Sequence, residues 1–244
     1  MKFVLFASSI LFMSLTLMAQ LPPRATINDI QIAGSGCEAG SANAIITPDL
    51  NYLSVLYDKF SVEIGKGTQN PGARALEKKC TIQVKMFVPA GWNFKFGSVE
   101  YRGFVAVPTK ATVAYQLITV EAEGGRGLAF DQNVINGPKM QNYSTLVTNA
   151  GGKQNINTGS NNPLDKLGGL INIIGGLKNS VDTLKAGDLL GCSNQDQVIA
   201  IKIKSTIGVR NLLADLIKPA VKIVVDSTDA SFRQNLKINW KRCF

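Results

Sequence analysis

The stretch that decides the fold runs from Cys80 to Val107 and reads CTIQVKMFVPAGWNFKFGSVEYRGFVAV. In its first part an apolar side chain stands at every second position from Ile82 to Val88, which is the period of a strand with one buried face. Pro89-Ala90-Gly91 then combines a fixed φ with a residue that tolerates positive φ, as a tight reversal requires. The stretch therefore predicts two long strands joined in an antiparallel hairpin.

The second strand of this stretch changes the phase of its apolar residues. Aromatic side chains stand at alternate positions from Trp92 to Phe96, but the apolar positions then move to Val99 and Tyr101. A strand of period two cannot change phase without an extra residue. We therefore predict a β-bulge near Gly97-Ser98.

Short β-branched segments separated by Gly, Pro and Asn recur along the rest of the chain. This pattern predicts an all-β fold, a two-sheet antiparallel β-sandwich of about eight or nine strands. Residues 66–79, with several glycines and charges, are predicted to form a loop. Besides the opening stretch, the predicted strands are Ala25–Ile32, Ala42–Thr47, Tyr52–Phe60, Ala111–Glu121, Val198–Lys204, Val221–Val225 and Leu236–Trp240.

A Gly/Asn-rich insertion is predicted over residues 124–190, with a short strand at Tyr143–Val147. Within the insertion, apolar residues from Leu164 to Leu184 recur with a period of 3.6 and predict an amphipathic helix near 162–187. Its many glycines lower its intrinsic stability, so the helix needs a surface to pack on. It either docks on the sheet or uses residues 163–185 to contact a membrane or a partner.

The chain opens with the features of a secretory signal peptide. A cation at Lys2 precedes an apolar run from Phe3 to Met18, and the small residue Ala19 offers a cleavage site. We therefore predict a signal peptide over residues 1–19 and a mature chain, 20–244, that forms a single disulfide-stabilised domain. The protein is expected to be secreted or to reside in the periplasm or cell envelope.

Four cysteines, Cys37, Cys80, Cys192 and Cys243, form an even set in a chain predicted to be exported, so two disulfides are expected. Of the three pairings that four cysteines allow, Cys37–Cys80 with Cys192–Cys243 is preferred because it closes two loops of similar size. The cysteine spacings match no zinc pattern. We expect neither a metal ion nor a cofactor.

The sequence contains no histidine. This excludes Ser-His-Asp and Cys-His catalysis, together with every metal site that is built on imidazole. Paired carboxylates remain as the ordinary means of acid–base catalysis, so a carboxylate-dependent glycoside hydrolase stays open as an alternative. The candidate carboxylates are Asp58, Glu63, Glu100, Glu121 and Glu123.

The chain is basic, with 26 Lys and Arg residues, 17 Asp and Glu residues and a formal net charge of +9. The cations are spread without a long basic run, which argues against a nucleic-acid-binding protein. Such a charge favours weak attraction to an anionic envelope polymer, a glycan or a phospholipid surface, although solubility alone also explains it.

Aromatic and charged residues of the opening stretch form the candidate binding surface. Trp92 and Tyr101, or Phe87 on the outward face of its strand, offer a platform for stacking, with Glu100 and Arg102 nearby. In the alternative interpretation, Trp92 closes the end of the core and Tyr101 fills it. A bound sugar or peptide is the expected ligand of such a platform.

Several short motifs occur together along the chain. They are GCEAGS at 36–41, KC at 79–80, VPAG at 88–91, VEYRG at 99–103, GP at 137–138 before Tyr143, and GC at 191–192. Together they resemble the secreted proteins grouped as domain of unknown function 4360, best over residues 30–147. The resemblance implies a small secreted, disulfide-stabilised, β-rich domain. It implies no activity and no catalytic residue.

These features predict a secreted or envelope-associated protein that is not an enzyme and that binds a glycan or another envelope polymer. One alternative is the carboxylate-dependent glycoside hydrolase. The other is a structural or partner-binding protein that acts through the helix at 163–185. The identity of the ligand and the oligomeric state are left open.

Overall fold

The fold is built from β-strands throughout the described part of the chain. In the computed structural model the described residues are 21–122, 127–129, 133–148, 191–212, 220–225 and 233–243. Within these ranges there are thirteen strands and no helix. The strands are β1 Thr26–Ala33, β2 Ala42–Ile46, β3 Tyr52–Tyr57, β4 Phe60–Ile64, β5 Ala75–Val88, β6 Trp92–Val107, β7 Thr112–Ala122, β8 Gly127–Ala129, β9 Asn133–Asn136, β10 Lys139–Thr148, β11 Gln197–Asn211, β12 Val221–Val225 and β13 Arg233–Arg242.

Two sheets face each other with the hydrophobic core between them. The first sheet has the strand order β1-β5-β11-β7-β8, and β9 also pairs with β7. The second sheet has the order β2-β3-β13-β6-β12-β4, and β10 also pairs with β6. All pairings between described strands are antiparallel. The predicted two-sheet antiparallel sandwich is confirmed.

The two long strands of the Cys80–Val107 stretch belong to different sheets, so the predicted hairpin is wrong. β5 lies in the first sheet and β6 in the second, and the residues between them cross the sandwich as an arch. Gly91 has a φ of 75°, and the Trp92 amide donates to the Pro89 carbonyl at 3.3 Å. Alternation could not separate the two cases, because a hairpin and an arch both need one apolar face on each strand.

Both predicted disulfides are present, and their pairing is confirmed. Cys37–Cys80 joins the β1–β2 connection to β5, and both of its cysteines are buried. Cys192–Cys243 joins the segment before β11, in the first sheet, to the end of β13, in the second. Their sequence separations of 43 and 51 residues correspond to roughly 4 kcal/mol of stabilisation each in the chain-entropy model.

The predicted β-bulge is confirmed at Gly97. The register of β6 against β13 slips by one residue between Lys237 and Ile238, which leaves Gly97 as the extra residue. A Cβ atom at this position would lie 2.1 Å from the side-chain nitrogen of Asn239, so a larger residue would have to displace that side chain. The bulge allows Phe96 and the apolar residues beyond it to face the same core.

The structure has more strands than the eight or nine predicted. The predicted strand Tyr52–Phe60 is two strands, because Asp58 and Lys59 bend the chain between β3 and β4. β5 begins at Ala75, inside the predicted loop, and the Gly/Asn-rich region contributes β8, β9 and β10. Short or polar strands show little alternation of apolar and polar residues in the sequence. Pairing with a long neighbouring strand is what keeps such segments extended.

Three predictions fall on residues outside the described ranges. They are the signal peptide at 1–19, the helix near 162–187 and most of the insertion at 124–190. The described residues lend the helix no support, because no segment among them is helical. None of the described residues belongs to a helix long and apolar enough to cross a membrane.

Three tyrosines of the second sheet form hydrogen bonds to the first sheet across the core. Tyr57 Oη lies within hydrogen-bond distance of Ser205 Oγ, and Tyr101 Oη accepts from the Ile118 amide at 3.0 Å. Tyr143 on β10 donates to a glutamine side chain of β7 at 2.6 Å. Burial raises the pKa of Tyr57 and of Tyr143, so both stay protonated and neutral. The two sheets are thus held by specific polar contacts as well as by apolar packing.

Replacing Tyr101 by Phe is expected to lower the free energy of unfolding by about 1–3 kcal/mol, because the buried Ile118 N–H loses this acceptor. Tyr52→Phe is the matched control, since Tyr52 is only half-buried and precedes the inward-facing Leu53; it should change stability by less than about 0.5 kcal/mol. Urea denaturation with the disulfides intact measures both values. Equal losses in the two variants would contradict the role of Tyr101.

Candidate functional site

Alternation along β6 places two of the predicted site residues on the outer face of the second sheet, the side turned away from the first sheet. Val99 and Tyr101 are fully buried and face the core. Glu100 and Arg102 therefore point outward, and both are half-buried. The pair lies at the middle of the sheet, with β13 on one side and β10 on the other.

Glu100 is the centre of a hydrogen-bonded group that we call the Glu100 cluster: Ser54, Glu100, Arg102, Ser144 and Asn235. Its Oε1 accepts from Ser144 Oγ at 2.9 Å and from Arg102 Nη2 at 2.7 Å. Its Oε2 accepts from Asn235 Nδ2 at 2.9 Å, and Asn235 Oδ1 accepts from Ser54 Oγ at 2.8 Å. The cluster thus connects β3, β13, β6 and β10 in one polar network.

The carboxyl group of Glu100 is held in its ionised form. Burial alone would raise its pKa, but hydrogen bonds from Arg102, Asn235 and Ser144 outweigh burial. With the positive charge of Arg102, they hold the pKa below the ordinary value for glutamate. An ionised carboxylate that accepts three hydrogen bonds is a poor proton donor near neutral pH. This favours a binding role for the cluster over general acid catalysis.

Arg102 is more open to solvent than the carboxylate it pairs with. The Arg102 side chain is 38% exposed, whereas the Glu100 side chain is 20% exposed. Arg233 on β13 lies on the same face, two residues before Asn235. The Nε atoms of Arg102 and Arg233 are buried and have no hydrogen-bond partner in the described part of the chain. A ligand on this face would therefore meet the outer ends of the guanidinium groups.

The outer face of the second sheet is rich in positive charge. Its described strands turn six cations and two carboxylates outward. Both carboxylates are in ion pairs, Glu100 with Arg102 at 2.7 Å and Glu63 with Lys222 at 3.5 Å. The six cations are Lys95, Arg102, Lys222, Arg233, Lys237 and Lys241. The face therefore presents more positive charge than its own carboxylates neutralise.

Exposed apolar side chains border the Glu100 cluster on β10. Leu146 pairs with Glu100 in the sheet and is 61% exposed. Met140 pairs with Ala106 and is 80% exposed. Both side chains lie on the same outer face, because their positions differ by an even number of residues. This border offers an apolar surface that a bound partner would remove from water.

The other predicted binding residues are not part of the cluster. Tyr101 is fully buried on the inner face, and Trp92 is half-buried at the other end of β6. At a rise of about 3.3 Å per residue, Trp92 is about 30 Å from Arg102 along the strand. Phe87 lies on the outer face of the first sheet, where the Arg24 guanidinium is 4.6 Å from its ring centroid.

The candidate carboxylates are also distributed over the molecule. Glu121 pairs with Lys204 at 2.6 Å on the first sheet, Glu63 lies on β4 and Asp58 lies in the β3–β4 turn. Glu123 falls outside the described residues. No group of three His, Cys, Asp or Glu residues within the described ranges could hold a metal ion.

Sequence reasoning missed Ser54, Ser144 and Asn235. Ser144 and Asn235 are 44 and 135 residues from Glu100 in sequence, and strand pairing alone brings them to it. The predicted strand at Tyr143–Val147 includes Ser144 but carries no sign of its partner. No motif marks Asn235, so no local signal could have identified it.

Replacing Glu100 by Gln is expected to destabilise the protein more at neutral pH than in acid. Because the folded-state pKa lies below the ordinary value of 4.5, the carboxylate adds stability above that pH, and this stability is lost as the pH falls through the folded-state pKa. The difference in the free energy of unfolding between wild type and Glu100→Gln should therefore shrink on going from pH 7 to pH 3. Chemical denaturation at several pH values measures it. A difference independent of pH would contradict the stabilised carboxylate.

Comparison with known proteins gives a family and few relatives. The model of a family described as domain of unknown function (DUF4360) matches residues 23–164, more than half of the chain. An uncharacterized secreted protein of Arthroderma benhamiae is 25% identical over 83 residues, which is 34% of this chain and 33% of that relative. The match thus spans about a third of the curated relative. Two disulfides form and persist outside the reducing cytosol, so the expected secreted or envelope location is confirmed.

Two solved structures show weak likeness to the chain. One comes from work on the promiscuous specificity of carbohydrate-binding modules from the β-sandwich superfamily. The alignment with it covers 87% of this chain and 57% of that chain, with 7% identity and a TM-score of 0.25. The other, an exo-β-agarase, covers 84% and 24%, with 9% identity and a TM-score of 0.16. TM-scores this low bear on neither fold nor function. The cysteine, Val-Pro-Ala-Gly and Tyr-Arg-Gly motifs of the sequence indicate the DUF4360 family. The family model matches more than half of the length of the chain, so the chain is a member of this family.

Proposed function

We propose that this protein is an exported binding protein, not an enzyme, and that the outer face of its second sheet binds an anionic glycan or another anionic envelope polymer. The observation that carries the proposal is the excess of cations around the Glu100 cluster. On the described strands of that face, six outward cations stand beside two carboxylates, both of which are in ion pairs. An extended anionic chain complements a flat cationic sheet face.

The outer face of the first sheet has a more balanced charge. Its carboxylates on described strands are each within 3.2 Å of a lysine: Asp29 with Lys85 at 3.2 Å, Glu77 with Lys79 at 3.0 Å and Glu121 with Lys204 at 2.6 Å. Exposed pairs of this kind contribute little stability and largely cancel each other's field. The attraction for a polyanion is therefore expected to be stronger at the second sheet.

The Glu100 cluster supplies the directional part of the proposed binding. Arg102 can donate to carboxylate or hydroxyl oxygens of a sugar, and its planar guanidinium suits a bidentate contact with a carboxylate. Leu146 beside it offers an apolar surface for the carbon skeleton of a sugar ring. Glu100 orients Arg102 and, by its own charge, disfavours anions placed directly over the carboxylate. Of the four predicted binding residues, Glu100 and Arg102 belong to the proposed surface, and Trp92 and Tyr101 do not.

The alternatives draw less support from the described residues. A glycoside hydrolase needs one carboxyl group protonated to act as general acid, and the lowered pKa of Glu100 disfavours that role at the cluster. A structural role through residues 163–185 rests on a segment outside the described ranges and stays a prediction.

Replacing Lys95 and Lys237 by Gln together is expected to weaken binding to polygalacturonate, an anionic polysaccharide, by about tenfold at low salt. Both lysines are exposed, point outward from the second sheet and form no ion pair with another described residue. The reason for the loss is purely electrostatic, so rising salt should reduce the difference between wild type and variant. Affinity electrophoresis or titration calorimetry at several salt concentrations measures it.

The matched control is Lys79→Gln with Lys202→Gln. It removes the same charge from two exposed lysines on the outer face of the first sheet, of which Lys79 is paired with Glu77 at 3.0 Å. Affinity within about twofold of wild type is expected for this control. Equal losses of affinity in the two double variants would show that net charge alone causes the attraction. If the protein bound neither polygalacturonate nor a neutral polymer such as dextran, the proposal would be overturned.

A further inference from the structure

β10 is an edge strand of the second sheet. Within the described part of the chain it pairs only with β6, and its ten residues follow β6 without a register shift. An edge strand carries backbone N–H and C=O groups that its sheet does not satisfy, and these groups can pair with a strand of another molecule. Ten residues of regular edge are enough to form an extended ladder with such a strand.

β10 lacks the features that usually protect an edge from pairing. From Met140 to Thr148 it contains neither a charged residue nor a proline. β1, at the edge of the first sheet, has Asp29 and a register shift beside it. β2 and β4 have five residues each, and β8 and β9 have three and four. Charge, irregularity and shortness all protect an edge from pairing, and among the described edges β10 is the one that has none of them over residues 140–148.

The outer-face residues of β10 complement a second copy of the same strand. In an antiparallel pair of two copies centred on Tyr143, Met140 of one copy lies opposite Leu146 of the other, and Asn142 lies opposite Ser144. These pairs follow from the register alone, because in an antiparallel pair the residue numbers of any two opposite residues have the same sum. Each contact occurs twice, because antiparallel pairing of identical strands has two-fold symmetry. The two most exposed apolar side chains of the strand, 80% and 61% exposed, would then cover each other.

The centre of this pairing is free of a bulky outward side chain. Tyr143 turns its ring toward the core, where a Cβ atom on Gly103 would lie 2.7 Å from the Tyr143 hydroxyl. That hydroxyl donates to Gln116 of the first sheet at 2.6 Å, which fixes the ring over the glycine. In the same register the single cation of β10, Lys139, faces Val147 of the other copy and meets no like charge.

From these observations we propose that the protein forms a two-fold symmetric homodimer through its β10 strands. Residues 139–147 of each copy pair antiparallel and join the two second sheets into one continuous sheet. The proposal is independent of what the outer face binds, because it rests on the edge and its residue pattern alone.

Sedimentation velocity on the full chain, from low micromolar concentration to about 1 mM, tests the proposal. A reversible monomer–dimer equilibrium is expected for the wild type. Leu146→Lys should raise the dimer dissociation constant at least about 100-fold, because two apolar contacts are lost and two cations are introduced per dimer. Leu146 is 61% exposed, so the variant is expected to fold normally, which the thermal unfolding curve checks.

The matched control is Ile45→Lys, the same kind of change at a 44% exposed position on β2, the opposite edge strand of the second sheet. It should leave the dissociation constant within about twofold of wild type. Hydrogen–deuterium exchange of the wild type needs no variant: β10 amides should exchange more slowly at high protein concentration, and β2 amides should not. A monomer over the whole range, or a dimer disrupted by Ile45→Lys and not by Leu146→Lys, would overturn the proposal.

Discussion

Burial of one face of β5 and one face of β6 in a single core, with the arch at Pro89–Gly91 between the two strands, is the constraint on which the rest of the structure depends. The arch places the two longest N-terminal strands in opposite sheets, and each then recruits its own neighbours. The Gly91 carbonyl accepts from the Cys243 amide and its amide donates to the Ser193 carbonyl, both at 2.8 Å. The Cys192–Cys243 disulfide closes the same end of the sandwich. A turn, a covalent bond and two hydrogen bonds therefore set how the sheets face each other.

The sequence predicted those features that are encoded locally. The alternation from Ile82 to Val88, the phase change at Gly97 and the even set of cysteines each arise from neighbouring residues or from simple counting. The choice between hairpin and arch is not local. β5 pairs with β1 and β11, and β6 pairs with β13, β10 and β12. Of these partners, β11, β12 and β13 are more than a hundred residues away in sequence, so distant strands take part in the choice. A strand with one apolar face is equally compatible with both arrangements.

The candidate site was predictable only as far as a single strand extends. Glu100 and Arg102 are two residues apart, so period two places them on one face and Tyr101 on the other. Tyr101 is two residues from the buried Val99, so both side chains face the core. Tyr101 therefore cannot share a surface with Glu100 and Arg102. Asn235 joins the cluster from 135 residues away, through pairing of the last strand with β6. That contact depends on the complete strand order of the second sheet, which no periodicity encodes.

The Glu100 cluster and the open edge are connected through β10. Ser144 donates to Glu100 and lies on the same strand face as the exposed Leu146, so β10 is both the border of the cluster and the proposed dimer contact. A two-fold axis perpendicular to the sheet leaves the outer faces of both copies on one side. A polymer crossing the joint would then meet two cationic faces in succession, and the second contact would form at high effective concentration. In the proposed dimer, weak attraction at each face would thereby become useful affinity for a long anionic chain without a deep pocket.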